Sequence, residues 1–329
     1  MQRVTADQVA ERAGVSRSAV SRTFTKDASV SARTAEKVLK AARELGYRPN
    51  AIASSLASGS SNIVALITIS KPDFRRPYLI HHLNNALQKM GLVPYTICVD
   101  ENYRGAETLA QIIQMPLNTA IVSADAVNAS DVIPFCIHSP PIMLNSNFSQ
   151  DERVDVVNVD DATGIQQMTS YLHDRDYKTV WLVTARRSSS AFHSRSVGLL
   201  EALARSDMKL IDKEEGDFSY ESGQEAFEKL SSRGPLPDCL FCANDAMAMG
   251  AMDTARFVHG LSVPQDIRII GFDDVPQASW PSYNLSTIKQ SVIDTVDAIM
   301  EIIQLRVAKS CDEDRITRTV PTSFIARDF

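Results

Sequence analysis

From Ile63 onward, short apolar runs alternate with helical segments, and few folds accept that pattern. Residues Ile63–Ile69, Val93–Val99, 120–123, Ile142–Leu144, 154–159, 180–183, 239–243 and 267–272 read as strands. Helical spacing links them, through Leu83, Leu87 and Met90 to Gly91 and then over about 106–115, 165–175, 197–205, 222–232 and 246–259. Strands that are apolar throughout and joined by helices are buried on both faces, which makes the sheet parallel. Ten or so such strands suit two doubly wound halves better than one. The class is therefore α/β, with a body of two doubly wound parallel-sheet subdomains as the expected architecture.

The first fifty residues carry no such alternation and read as three short helices. Thr5 followed by Gln8 is a capping box ahead of Val9, Ala10 and Ala13. Gly14 and Val15 make a tight turn, and Ser16 caps a second helix from Arg17 to Phe24. Ser31 caps a third through Val38, Leu39, Ala42 and Leu45, stopping at Gly46. Two helices across so short a turn are a helix-turn-helix, an all-α head whose second helix exposes Arg17, Ser18, Ser21 and Arg22. Charge agrees with shape. Residues 1–62 hold 10 Lys and Arg against 5 Asp and Glu, a net of +5, and the remainder has 24 against 35, a net of −11. A basic head on an acidic body is the charge signature of nucleic-acid binding.

Composition excludes other classes. No apolar run approaches the ~20 residues of a membrane span, and the start of the sequence lacks a secretory apolar core, so a cytoplasmic protein without membrane partners is expected. Five cysteines have no disulfide-framework spacing. Cys239 and Cys242 form a C-x-x-C inside an apolar run, without a second pair to complete a metal site, and read as core residues. No nucleotide-binding, serine-hydrolase or zinc-protease motif occurs, and the six histidines have no metal spacing, so neither catalysis nor a cofactor is expected. His81 and His82 are placed on a helix beside the pocket or a dimer face.

Residues 50–62 differ from both neighbours. Asn50 can cap a helix bearing Ile52, Ala53, Leu56 and Ala57 before Gly59 releases the chain. Two turns are too few to hold alone in water, so a partner copy or DNA must order them, unless the stretch is simply a flexible linker. In the body, ligands of doubly wound sheets bind beyond the carboxyl ends of the strands. Those positions, 71–74, 145–148, 184–187, 244–245 and 272–274, combine amides, carboxylates and arginine with Phe74, Phe148 and Phe272. Fixed polar groups beside flat apolar faces suit a sugar or another small polar metabolite. Asn244 and Asp245 are equally suited to capping the helix they open.

The segments VTADQVAERAGVSRSAVSR, LGYRPNAIASSLASG, CANDAMAMGAM, VPQDIRIIGFDD and LSTIKQ together resemble the lactose/galactose repressor (LacI/GalR) family of bacterial transcription regulators, over essentially the whole length. That resemblance implies a head at 1–49, a hinge helix and linker at 50–61, and an effector-binding and dimerisation body at 62–329. The body would divide into subdomains at about 62–159 with 288–318, and about 160–287 with 319–329. It implies DNA contacts at Thr5, Ser16, Arg17, Ser18, Ser21 and Arg22, with Tyr47, Asn50 and Ala53 near the backbone or hinge and Leu56 wedged into the minor groove of a palindromic operator. It implies effector contacts at Asn145, Arg195, Phe218, Asn244 and Asp273, while Asp73, Phe74 and Arg76, after the first strand, are further effector-binding candidates at the pocket mouth. The segment KPDFRRPY departs from the family pattern, and the charge of Asp73, Arg75 and Arg76 adds a sugar acid or sugar phosphate to a plain sugar as candidate effectors. A homodimer is expected, since the sequence ends in VPTSFIARDF without a leucine-rich tail. The rival reading is a solute-binding protein of the same body fold without DNA binding.

Overall fold

The computed structural model describes residues 4–24, 28–48, 61–70, 73–100, 102–145, 151–187, 189–308 and 314–327. Asn50, Ala53 and Leu56, with the hinge helix expected around them, lie outside the described residues, as does Phe148. The chain forms two compact units, 1–61 and 62–329.

The head consists of α1 (Ala6–Ala13), α2 (Arg17–Phe24) and α3 (Ala32–Leu45). Local chemistry sets each end. Thr5 and Gln8 close the reciprocal capping box, with the Thr5 backbone N–H donating to Gln8 Oε1 at 2.9 Å. Gly14, at φ +64°, takes the left-handed conformation that ends α1 and turns the chain into α2. Ser16 Oγ accepts from the Ala19 N–H, and Ser31 Oγ from the Thr34 N–H, each at 3.2 Å. One fully buried valine from each helix, Val9, Val20 and Val38, meets Ala10, Ala41 and Ala42 in a small core. Leu39, expected on the apolar face of α3, is instead 42 % exposed; Ala41 supplies the third inward position beside Val38 and Ala42.

In the body, β1 (Ile63–Ile69), β2 (Val93–Val99), β3 (Thr119–Ser123), β4 (Ile142–Leu144) and β5 (Asp155–Asp160) form a parallel sheet in the order β2-β1-β3-β4-β5. A second sheet has β6 (Thr179–Thr184), β7 (Lys209–Glu215), β8 (Cys239–Cys242), β9 (Arg268–Asp273) and β10 (Ser286–Gln290), in the order β7-β6-β8-β9-β10. The last strand, β11 (Thr317–Ile325), belongs to both: Thr317–Pro321 pairs parallel with β5, and Thr322–Ile325 pairs antiparallel with β10. Helices α4 (Arg75–Lys89), α5 (Ala106–Ile112), α6 (Ala129–Val132), α7 (Asp161–His173), α8 (Gly198–Ala204), α9 (Tyr220–Arg233), α10 (Asp245–Asp253) and α11 (Val292–Ala308) connect the strands. A separate apolar cluster lies on each face of each sheet. Cys239 and Cys242 are fully buried in two different clusters, so their thiols point away from one another.

The chain passes between the halves at Asp160–Asp161, after Gln290, and inside β11 at Pro321–Thr322. Thr322 Oγ1 ties two of these crossings, donating to the Asp160 carbonyl at 2.6 Å and accepting from the Gly164 N–H at 2.9 Å. Gly164 has no room for a side chain, since a Cβ would stand 2.4 Å from Ile288 Cγ2 and 2.6 Å from Thr322 Oγ1. Some elements have no strong sequence signal. Strand β7 is an edge strand with alternating burial and five charged residues, and β10 and β11 are rich in threonine and serine. The expected helix over 106–115 stops at Ile112: Ile113 turns extended, its N–H still donating to the Leu109 carbonyl.

Candidate DNA-binding face and ligand cleft

Helix α2 buries Val20 and leaves Arg17, Ser18, Ser21 and Arg22 exposed. Arg17 lies 3.7 Å from Asp7 with 74 % of its side chain exposed, a solvated pairing that costs little to exchange for another anion. Arg22 Nε donates weakly to the Ser18 carbonyl at 3.4 Å, and Ser18 Oγ shares a hydrogen bond with Ser16 Oγ at 2.9 Å. Not every candidate stands free. The Thr5 hydroxyl is engaged in its capping box, and the Tyr47 ring rests against Phe24 at 5.7 Å as part of the head's core.

The body gathers its buried charge where the crossings meet the strand ends. Arg195 stands in a π-helical turn, Phe192–Val197, a widened geometry that recurs at functional sites. Its guanidinium donates to the Ala243 carbonyl at 2.6 Å, reaches Asp273 Oδ1 at 3.2 Å and lies 3.8 Å from Asp161 Oδ2. It also stacks 4.2 Å above the Phe272 ring. Gln290 Nε2 donates to Asp273 Oδ1 at 2.6 Å. Asp273, held at φ +123°, and Asp274, at φ +54°, are non-glycine residues in left-handed backbone, with Asp274 anchored by Arg327 at 2.6 Å. Burial pushes the Asp273 carboxyl up to about 6, against the pull of Arg195 and Arg75. Burial likewise raises Asp161, opposed first by Arg195.

The KPDFRRPY segment opens α4. Asp73 Oδ1 accepts from the N–H groups of Arg75 at 2.6 Å and Arg76 at 3.3 Å, and Oδ2 lies 3.5 Å from Arg76 Nε. Arg76 therefore closes on Asp73, whereas its neighbour Arg75 is buried and shares the electrostatic neighbourhood of Asp273, Arg195 and Asp161. Phe74 is 38 % exposed. Asn145, at φ +54°, lines a cavity of about 220 Å³ together with Asp161, Ser190, His193 and Arg195. Asn244 has a different duty: Oδ1 caps α10 through the Met247 N–H, and Nδ2 donates to the Phe218 carbonyl, both at 2.9 Å. Its amide is engaged within the protein and holds the Phe218 loop, where Phe218 sits at φ +74° against an apolar core. Asp125, beyond β3, reaches across the body to Ser190, accepting from its N–H at 3.2 Å and from Oγ at 2.8 Å.

The structure brings Arg195, Asp273 and Asp161 together and adds Gln290 and Arg75; the sequence raises Arg75 only through the charge of its segment, and singles out neither Asp161 nor Gln290. Gln290 ends the LSTIKQ segment and Asp161 opens the helix after β5, so position at a crossing was their signal. Arg75 was distinguishable from Arg76 only by helix phase.

Two family profiles match the chain: "Bacterial regulatory proteins, lacI family" over residues 5–50 and "Periplasmic binding protein-like domain" over 169–328. Among characterised relatives, the HTH-type transcriptional repressor CytR of Escherichia coli (strain K12) is 28 % identical over 293 residues, covering 87 % of this chain and 84 % of its own length. Catabolite control protein A of Priestia megaterium is 27 % identical, covering 96 % of each chain. The crystal structure of the lac repressor dimer bound to operator and the anti-inducer ONPF superposes with a TM-score of 0.82 at 27 % identity, over 99 % of this chain and 98 % of that one.

Proposed function

We propose that this chain, which belongs to the lacI family of bacterial regulatory proteins, is a transcriptional repressor that grips a palindromic operator as a homodimer and is switched by a small polyhydroxylated metabolite, a sugar or sugar derivative, held between the halves of its body. The observation that carries the reading is the buried Arg195–Asp273–Asp161 cluster set at the crossings of the chain. A ligand hydroxyl is donor and acceptor at once, and the cluster offers both functions: Arg195 Nε and Asp161 Oδ1 are buried without a hydrogen-bond partner among the described residues. A ligand bridging them favours one arrangement of the halves over another, and that difference is the only free energy available to move the DNA equilibrium.

On the DNA side, Arg17 is assigned to bidentate recognition of a guanine edge in the major groove, with Ser18 beside it and Arg22, Ser16 and Ser21 on bases or phosphates. Leu56 is assigned to the minor groove at the operator centre. Self-association is supported by Phe257 and Val258, which end the π-helical turn Thr254–Val258 that follows α10, with 80 % and 67 % of their surface exposed. The protein would act on the chromosome in the bacterial cytoplasm. Selection from random duplex DNA followed by anisotropy titration tests this reading. The expected outcome is a two-fold symmetric site whose affinity falls steeply with salt, and a weak, salt-insensitive or asymmetric product would overturn it.

A further inference from the structure

Arg75 is 9 % exposed, and among the described residues its guanidinium makes no hydrogen bond or ion pair; Nε is fully enclosed without a partner. The carboxylates around it have other work. Asp73 accepts two backbone N–H groups and faces Arg76, Asp273 holds Arg195 and Gln290, and Asp161 lies against Arg195. Burial depresses the Arg75 pKa, with Asp273 the largest opposing influence, so its charge is desolvated and only indirectly balanced. A guanidinium does not shed its proton to escape such a place, and a buried cation without direct partners is costly. Its planar fork matches the two oxygens of a carboxylate or phosphate.

We propose that Arg75 anchors an anionic group, carboxylate or phosphate, of the effector, so that the ligand class is a polyhydroxylated acid or phosphate ester and not a neutral sugar. This rests on the reading of the cleft as the effector site. The remaining open groups agree with it: Asp161 Oδ1 and Gln290 Oε1, both buried and unpartnered among the described residues, accept from hydroxyls on the rest of the molecule. Polarity is thereby divided, with the anion toward α4 and the hydroxyls toward the second half. The sequence raised charge at this segment; the geometry selects Arg75 because Arg76 is already turned to Asp73.

The test is the thermal melting of the full-length protein in sodium phosphate, sodium acetate and sodium chloride at matched ionic strength, for the native chain and for Arg75→Met, Arg75→Gln and Arg75→Lys. Phosphate or acetate is expected to raise the native Tm by about 2–4 °C over chloride. Arg75→Met and Arg75→Gln are expected to lose the increment and Arg75→Lys to keep part of it. The larger of the two native responses tells phosphate from carboxylate. Equal melting of the native chain in all three salts, or an increment that survives Arg75→Gln, would overturn the proposal. Operator binding measured in parallel separates the two readings. An anion response without operator binding removes the repressor reading alone, and operator binding without an anion response removes the Arg75 anchor alone.

Discussion

Arg17 in the head and Arg195 in the body show what two settings do with one side chain. Arg17 is solvated, 74 % exposed and 3.7 Å from a carboxylate that it can leave cheaply. Arg195 has 9 % of its side chain exposed and is fixed by a carbonyl, two aspartates and an aromatic face. The first is suited to forming contacts that are screened by salt and decided by what DNA presents. The second is already organised, and its energetics are set by burial and by the carboxylates it holds. A switch needs both: a surface that costs little to bind or release, and a core whose two arrangements differ enough in free energy for a small ligand to choose between them.

The contrast can be broken at four points, taken from the largest effect downward. Arg195→Met leaves Asp273 and Asp161 buried beside an apolar side chain, and a cost of about 3–5 kcal/mol is expected in urea unfolding, with loss of effector response. An equal stability loss from Arg17→Met would erase the distinction between the two arginines. The pH dependence comes next. The folded Asp273 carboxyl sits at about 6 against an ordinary 3.8, so the folded state holds this proton more tightly than the unfolded chain does. Stability from this group is therefore greatest below 3.8 and declines as pH rises toward about 6. Asp273→Asn is expected to flatten that decline in melting curves from pH 4 to pH 7, and an unaltered slope would move the titration to another group.

Arg17→Ala is expected to cost about 1–3 kcal/mol of discrimination at one symmetric base pair while leaving the melting of the body unchanged. Selection from random DNA reads this directly, and an unchanged logo would remove Arg17 from base recognition. The smallest effect belongs to Asp125→Ala. Its two hydrogen bonds to Ser190 join the halves at a solvated edge, and about 1 kcal/mol is expected. A few-fold change in effector affinity with little change in Tm is the expected signature; no change in affinity would make the contact incidental.

How much could be read before the tertiary structure depended on how local the signal was. The head was almost wholly legible, since Thr5–Gln8, Gly14, Ser31 and Gly46 act on backbone within a turn of themselves. Leu39 was misplaced because it stands one residue round the helix from Val38, and the side that meets α1 and α2 is carried by Val38, Ala41 and Ala42. In the body, Ile63–Ile69 and Cys239–Cys242 declared themselves by burial on both faces, whereas β7, exposed along one edge, did not; Val93–Val99 is apolar enough to read as a strand although it too is an edge strand with much of it exposed. Asn244 illustrates the limit at the cleft. Its place after a strand suited a ligand or a cap equally, and only packing committed its amide to Met247 and Phe218.

By itself, then, the sequence determined the three capped helices, the alternation that makes the parallel sheets, and the concentration of positive charge at one end of the chain. These are local or compositional properties, carried by residues within a few positions of one another. Only the tertiary structure decided that Arg195, Asp161, Asp273 and Gln290 share one buried cluster, and that Arg75 and not Arg76 joins its electrostatic neighbourhood. Those residues are brought together by β11 running through both sheets and by the start of α4 on the Asp73 cap. Which of two adjacent arginines is desolvated follows from where the helix begins and what it packs against, and neither is a property of the two residues themselves.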